Sequence, residues 1–280
     1  MSLFQLIVLS VVQGITEWLP ISSSGHVLLV AAWFGLVGED ELLINAMAHI
    51  GTLGSVLVYF RGDVWRCIKG GLGLLGRKAD AEDRRLAMLI IAATPIALII
   101  AATFAVLPDE IAIGFRSLWI VIATTIGFGL LLWWADTRTG QKGEGDMTFM
   151  DAALIGASQA IAAFLPGTSR SGVTITIARA RGFSRPEAAR FSMLIGIPIV
   201  AASGAFAFLE LVGAEQGSIS LSLADGLIVA ALSFVTGYVS IAALMSLLQR
   251  INFLPFVIYR LLLGGALLLA SPVGFALIKA

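Results

Sequence analysis

Ser23 and His26 lie three residues apart in the run Pro20-Ile21-Ser22-Ser23-Ser24-Gly25-His26. If a helix restarts at Ser22 or Ser23, the two share a face. A hydroxyl beside an imidazole is the pairing of a nucleophile and its base. Glu17 stands one turn before Pro20. A second run, Gly167-Thr168-Ser169-Arg170-Ser171-Gly172, offers a guanidinium, hydroxyls and flexible backbone N–H groups. At a restarting helix such groups bind anions, and Arg adds bidentate recognition of phosphate. Brought together, the two runs supply a nucleophile, a base, an acid and a phosphate clamp. Each has a plainer use alone. Serines cap helices, Glu17 and Arg170 could form a structural buried pair, and a lone histidine says little. Their joint placement favours a site.

These groups stand out because the chain around them is apolar. Of 280 residues, 58% are hydrophobic and 13% are charged, against about 25% charged in soluble domains. Mean hydropathy is +0.95. This excludes an ordinary soluble globule and a disordered chain. Basic and acidic residues both number 18, so no basic excess invites nucleic acid. The single cysteine, Cys67, excludes an internal disulfide and a cysteine metal cluster; it reads as inert and cytoplasmic. Met1 to Gln5 carry no basic stretch ahead of the first apolar run, which predicts that this run is not a cleaved signal peptide. Ionisable groups inside membrane segments are costly and usually functional. Here they are Glu17, His26, His49, Arg170 and Arg260. His49 reads as a packing or supporting group, and Arg260 as a side chain that snorkels or pairs within the bundle.

The elements that position such a site follow from segment lengths. A bilayer core takes about 20 apolar residues per helix. Full spans are expected near residues 43–60, 86–107, 113–135, 188–209, 225–248 and 253–272. Two regions do not fit as simple spans. Residues 2–18 and 27–37 flank Pro20 and its serines, and residues 149–165 and 173–180 flank Pro166. The pieces after each break are too short to cross at about 1.5 Å per residue. Polar irregular backbone at membrane depth needs a protein-lined or watery cavity. Two re-entrant helical hairpins with polar tips fit better than kinked spans or surface loops.

The two odd regions also match each other. Gln13 to Ser24 lies over Gln159 to Arg170 at an offset of 146, with Gln, Ile, aromatic, Leu, Pro, hydroxyl and Ser in register. Gln13 and Gln159 are candidates to bridge the hairpins. The expected architecture is an all-α polytopic membrane protein with six transmembrane helices plus two re-entrant hairpins in an inverted-topology repeat. It is one integral domain, 1–280, with halves of about 1–135 and 149–272. Such repeats place a polar site at their interface. With 36–42 taken as outside, the loops 61–85, 136–148, 179–190 and 249–252 and their edges lie inside and hold 14 of the 18 basic residues. The outer loops 36–42, 108–112 and 210–224 are acidic. The positive-inside rule fixes this orientation. The charges of 61–85 read as a solvated cytoplasmic loop rather than a lipid-recruiting patch.

Gln13-Gly14-Ile15-Thr16-Glu17-Trp18-Leu19-Pro20-Ile21-Ser22-Ser23-Ser24-Gly25-His26, with Leu165-Pro166-Gly167-Thr168-Ser169-Arg170-Ser171-Gly172, resembles the paired signature of the bacitracin-resistance family of bacterial undecaprenyl-diphosphate phosphatases. The resemblance runs over the whole chain, including Asp146-Met147-Thr148 and Pro255 to Arg260. It implies hydrolysis of the isoprenyl diphosphate to its monophosphate plus phosphate, recycling the lipid carrier for peptidoglycan synthesis. It also implies a place in the bacterial cytoplasmic membrane, a site open to the periplasm or cell exterior, and dependence on a divalent cation, Mg2+ or Ca2+. Many members have Glu where Gln13 stands, so Glu17 is the sole acid of this tip and the candidate metal ligand. On this reading Arg170, Thr168, Ser169, Ser171 and Gly172, with Ser22 and Ser24, hold the phosphates, and Gln13 and Gln159 support them. Ser23 attacks, with His26 as base or leaving-group acid; His26 as the phosphorylated nucleophile stays open. The partners are the lipid substrate, the bilayer and a second copy in a homodimer. The alternatives are a transporter or flippase of an isoprenyl phosphate lipid, since inverted repeats with broken midplane helices also build transporters, and a non-catalytic lipid-binding scaffold.

Overall fold

A computed structural model describes the backbone of residues 2–35, 39–105, 117–213 and 222–278. Within these, the side chains at 24, 28, 31–32, 39–42, 104–105, 210–213 and 270–278 are not described. Much of the acidic outer loops 36–42, 108–112 and 210–224 therefore lies outside the described residues. In chain order the helices are α1 (Leu3–Trp18), α2 (Ser23–Phe34), α3 (Glu39–Tyr59), α4 (Arg61–Leu74), α5 (Ala81–Ala93), α6 (Pro95–Ala105) and α7 (Leu118–Asp136). After a short 3-10 turn at Glu144–Asp146 come α8 (Phe149–Ala157), α9 (Gln159–Phe164), α10 (Arg170–Ala180), α11 (Arg185–Gly213), α12 (Leu223–Leu247) and α13 (Leu254–Ile278). Among the described residues there is no strand, only an isolated bridge between Lys142 and Phe183.

Length and composition sort these helices. Ala81–Thr103 (α5 with most of α6), Leu118–Asp136, Arg185–Leu209 and Leu223–Leu247 are long and apolar enough to cross a membrane. A fifth span exists if α3 and α4, bent by 86° at Phe60, count as one. The expected span at 253–272 falls within α13, Leu254–Ile278, whose Leu254–Leu269 part is apolar. Leu3–Trp18 and Phe149–Phe164 are also short apolar helices. At about 1.5 Å per residue, 16 residues reach about 24 Å, less than the hydrocarbon core. The chain is thus an all-helical, multi-pass membrane protein.

One expectation needs correction. Residues 61–85 do not form a solvated loop, since α4 and the start of α5 occupy most of them. Arg61, Arg77, Lys78, Asp80, Glu82 and Arg84 are exposed, as expected, but Asp63, Arg66, Lys69 and Asp83 are held in ion pairs. Arg66 donates to Asp83 at 3.1 Å and to Glu144 at 2.6 and 3.0 Å. Arg190 of α11 pairs with Asp63 and Glu187. The Arg66 hydrogen bonds hold the Glu144 carboxyl below its ordinary value. A second knot ties α7, α10, α11 and α13 together: Asp136 accepts from Arg179 at 3.0 Å, from Arg185 at 2.7 Å and from the Phe253 N–H at 2.9 Å.

The packing places both short-helix regions against spans. α1 lies along α12, and α8 and α9 lie along α5 and α6. Small residues bring the backbones close, as in other membrane helices. A Cβ at Gly14 would strike Thr236 of α12, and one at Gly156 would strike Ala93 of α5. α3 packs on α11 and α12, and α7 packs on α13 and α10. One buried apolar cluster, including Trp18, Val56, Leu89, Ile155, Ile175, Ile195 and Leu244, reaches both regions and the spans around them.

Candidate active site

Each short-helix region is broken at a proline, and each restart is built the same way. After α1 the chain is extended at Leu19, passes Pro20, and restarts at Ser23. After α9 it is extended at Leu165, passes Pro166, and restarts at Arg170. The residue before each restart, Ser22 or Ser169, has φ of 74° or 70°. These are the only non-glycine residues with positive φ among those described. Such backbone costs about 1–3 kcal/mol and clusters at functional sites. Both serines cap the new helix: Ser22 Oγ accepts from the Gly25 N–H at 3.4 Å, and Ser169 Oγ from the Gly172 N–H at 3.1 Å.

This geometry corrects the register read from the sequence. The prolines align at an offset of 146, but the capping serines are 147 apart. The second turn holds one more residue between proline and cap, and Gly167 (φ 87°) gives it the needed left-handed corner. Ser22-Ser23-Ser24-Gly25 therefore corresponds to Ser169-Arg170-Ser171-Gly172. Ser23 and Arg170 take equivalent first positions on their helices.

The two turns meet. Glu17 is the hinge of the contact: its Oε2 accepts from Ser23 Oγ at 2.7 Å and from Gln13 Nε2 at 3.2 Å. Its Oε1 accepts from Arg170 Nη2 at 3.3 Å. Arg170 also donates to the Ser192 carbonyl of α11 at 3.3 Å and lies over the Trp18 ring, 4.8 Å from its centroid. Trp18 is buried and anchored by its own N–H to Thr52 O at 3.3 Å. Ser171 Oγ donates across the tips to Leu19 O at 2.9 Å. Gln13, Glu17, Ser23 and Arg170 thus form one connected chain, and Glu17, Ser23, His26 and Arg170 all retain partial exposure.

The other hydroxyls of the two turns are mostly turned inward. Ser22, Thr168, Ser169 and Ser171 are all buried. Thr168 Oγ1 has no hydrogen-bond partner. Ser169 Oγ, besides capping α10, lies 3.2 Å from Ser171 Oγ. The side chain of Ser24 is outside the described residues. Gln159 does not bridge to the first tip: it is buried, and neither amide atom has a partner. Gln13 instead stays on its own helix and donates to Glu17.

His26 is held apart from Ser23. Its Nδ1 lies 2.6 Å from Ser22 O, and its Nε2 lies 2.6 Å from Tyr259 Oη of α13, with the two rings nearly parallel at 14°. A carbonyl only accepts, so Nδ1 carries the proton and Nε2 accepts from the tyrosine hydroxyl. His49 makes a local contact, Nδ1 to Asn45 O at 2.8 Å.

Two residues outside the two motifs join this centre. Tyr259 carried no signal beyond being a polar tip in an apolar helix. Arg260 neither snorkels nor pairs with an acid. It is fully buried and donates to five backbone carbonyls: Thr125 (3.0 Å), Pro20 (3.2 Å), Thr168 (3.0 Å), Thr124 (3.1 Å) and Gly167 (2.9 Å). Both turns and α7 are pinned by one guanidinium whose five N–H groups are all used.

A divalent ion finds few protein ligands here. Among the described residues no group of three or more His, Cys, Asp or Glu could hold a metal. Glu17 is the sole carboxylate of the tip, and both its oxygens are engaged. The side chains present do not by themselves fit a protein-held cation.

Comparison with known proteins gives a consistent result. Residues 6–266 match the family described as bacitracin resistance protein BacA. A protein named undecaprenyl-diphosphatase from Hyphomonas neptunium is 55% identical over 279 residues, covering 98% of both chains. Proteins of the same name from Maricaulis maris and Ruegeria pomeroyi are 47% and 45% identical, each covering 96% of this chain and 98% of theirs. The chain belongs to the bacitracin resistance protein BacA family.

Proposed function

We propose that the chain hydrolyses undecaprenyl diphosphate to undecaprenyl phosphate plus phosphate at the meeting point of the two polar turns, recycling the carrier for peptidoglycan synthesis and conferring bacitracin resistance. The names of the relatives support the reaction. The observation that carries the site is the continuous contact from Ser23 through Glu17 to Arg170.

Arg170 binds the diphosphate. Its charge, with the N–H groups opening α10, neutralises the phosphoryl oxygens as phosphoryl transfer requires. Ser22, Ser24, Thr168, Ser169, Ser171 and Gly172 contribute as the two turns that present the phosphate-binding groups. Ser23 Oγ attacks the terminal phosphorus while its proton passes to Glu17 Oε2, 2.7 Å away. The new bond is Oγ–P, and the bond broken joins that phosphorus to the bridging oxygen. Undecaprenyl phosphate leaves with that oxygen. Water then attacks the phosphoserine, releases phosphate and restores the hydroxyl. His26, its Nδ1–H held by Ser22 O, is the group whose Nε2 takes the proton of the attacking water, with Tyr259 orienting the ring. Gln13 holds Glu17 in place. An apolar groove of about 320 Å3 lined by Ile15, Leu19, Val239, Leu244 and Phe256 takes part of the prenyl chain; Phe256 lies one turn from Tyr259. No step is assigned to a cation.

We also infer two re-entrant hairpins, α1–α2 and α8–α10, in an inverted repeat with halves 1–135 and 149–272. The packing pattern supports it. α1 on α12 answers α8 and α9 on α5 and α6, while α3 meets α11 and α7 meets α13 as symmetry-equivalent pairs. The basic loops then face the cytoplasm, and the site opens to the periplasm.

The test is phosphate release from undecaprenyl or farnesyl diphosphate by detergent-purified protein, which needs no gradient. A carrier or a lipid-binding scaffold would bind the lipid and release none. Near-normal turnover by Arg170→Ala would contradict the site.

A further inference from the structure

Arg170 occupies a space on α11 that only a residue without a side chain leaves. A Cβ built at Gly196 would overlap the Nη1 of Arg170 and lie 2.7 Å from its Cζ and 3.1 Å from its Nη2. The guanidinium also stacks on Trp18. Two of its donors are taken by Ser192 O and Glu17 Oε1, each at 3.3 Å. Gly196 lies one turn after Ser192, so the missing side chain opens the way to that carbonyl. Backbone conformation gives no reason for a glycine here. Gly196 is inside a helix, is not among the positive-φ glycines, and costs helix propensity. What it supplies is room.

We propose that Gly196 is a positioning residue: a notch in α11 that seats the Arg170 guanidinium against Trp18 and directs it at Glu17, ready for a diphosphate anion. The ligand rests on the phosphatase reading; the notch rests on the contacts alone. A side chain at Gly196 pushes the guanidinium off Ser192 O and away from Glu17. The phosphate clamp then starts from the wrong place, and displacement of about 1 Å can cost about a hundredfold in rate.

The experiment is a double-mutant cycle in the purified full chain, read both as melting temperature and as phosphate release from farnesyl diphosphate. Gly204→Ala is the control, because a Cβ there meets only His49 Cβ at an ordinary 3.4 Å. Gly196→Ala is expected to lower kcat/KM by about a hundredfold, while Gly204→Ala stays within about twofold. Gly196→Ala is expected to lower the melting temperature when Arg170 is present and to raise it in the Arg170→Ala background. There the clash is gone and Ala is the better helix former. A variant that folds only when Arg170 is also removed shows the same sign reversal. Activity within about twofold of the control, an equal melting shift in both backgrounds, or failure to fold in both overturns the notch. If the unsubstituted protein releases no phosphate, the phosphatase reading fails on its own, and the sign of the melting shifts still decides the notch.

Discussion

Replacing Arg260 with lysine keeps the charge and removes most of the geometry. The guanidinium donates to five buried carbonyls at 2.9–3.2 Å, drawn from the first turn, the second turn and α7. An ammonium has only three donors, all on one nitrogen. At least two of the five carbonyls lose their partner. Hydrogen bonds to a charged group contribute about 1.5–3 kcal/mol each, so Arg260→Lys is expected to cost about 3–6 kcal/mol. Thermal unfolding in detergent should fall by about 6–24 °C, at about 2–4 °C per kcal/mol for a large domain. The loss is expected to be local before it is global. Hydrogen exchange should quicken first at residues 19–25 and 165–172, the segments that Arg260 joins, and phosphate release should fall with it. A melting shift under about 2 °C, or exchange unchanged in both turns, would refute the view that Arg260 braces the site.

Other perturbations reach separate parts of the account. Tyr259→Phe removes the donor to His26 Nε2; a lost hydrogen bond of about 1 kcal/mol predicts about a fivefold lower kcat with KM little changed, measured by steady-state kinetics. Gln13→Glu places a second carboxylate within reach of Glu17. The two charges repel, so the variant should melt lower than the native chain; an unchanged melting temperature would count against the contact between positions 13 and 17. Glu144 titrates below its ordinary 4.5 because Arg66 bonds to the charged form. Its stabilising effect is present above pH 4.5 and is lost as pH falls through the lower folded value. Glu144→Gln should flatten that acid limb of the melting curve.

How much of this was legible beforehand depended on whether the signal was local. Prolines followed by serines and charge inside apolar segments mark the two turns, because membrane burial makes such residues expensive. Segment lengths likewise separate short helices from spans. What escaped was set by distant partners or by single residues of geometry. α4 looked like a loop because its charges seem exposed in sequence, yet Glu144 and Arg190 close over Arg66 and Asp63. The register of the second turn was off by one because Gly167 adds a residue that repeat matching cannot see. Ser23 was read with His26 from their helical spacing, whereas Glu17, from the preceding helix, is the group its hydroxyl meets. Arg260 and Tyr259 arrive from more than 230 residues away. Gly196 is one of 30 glycines, and only the guanidinium beside it tells it apart.

The most direct test of the account is the rate of phosphate release from undecaprenyl diphosphate by the detergent-purified protein, compared with Ser23→Ala and Arg170→Ala at matched folding. The account predicts steady release by the native chain without any gradient, and loss of nearly all of it in both variants. Native protein that binds the lipid but releases no phosphate, or variants that turn over at close to the native rate, would contradict it.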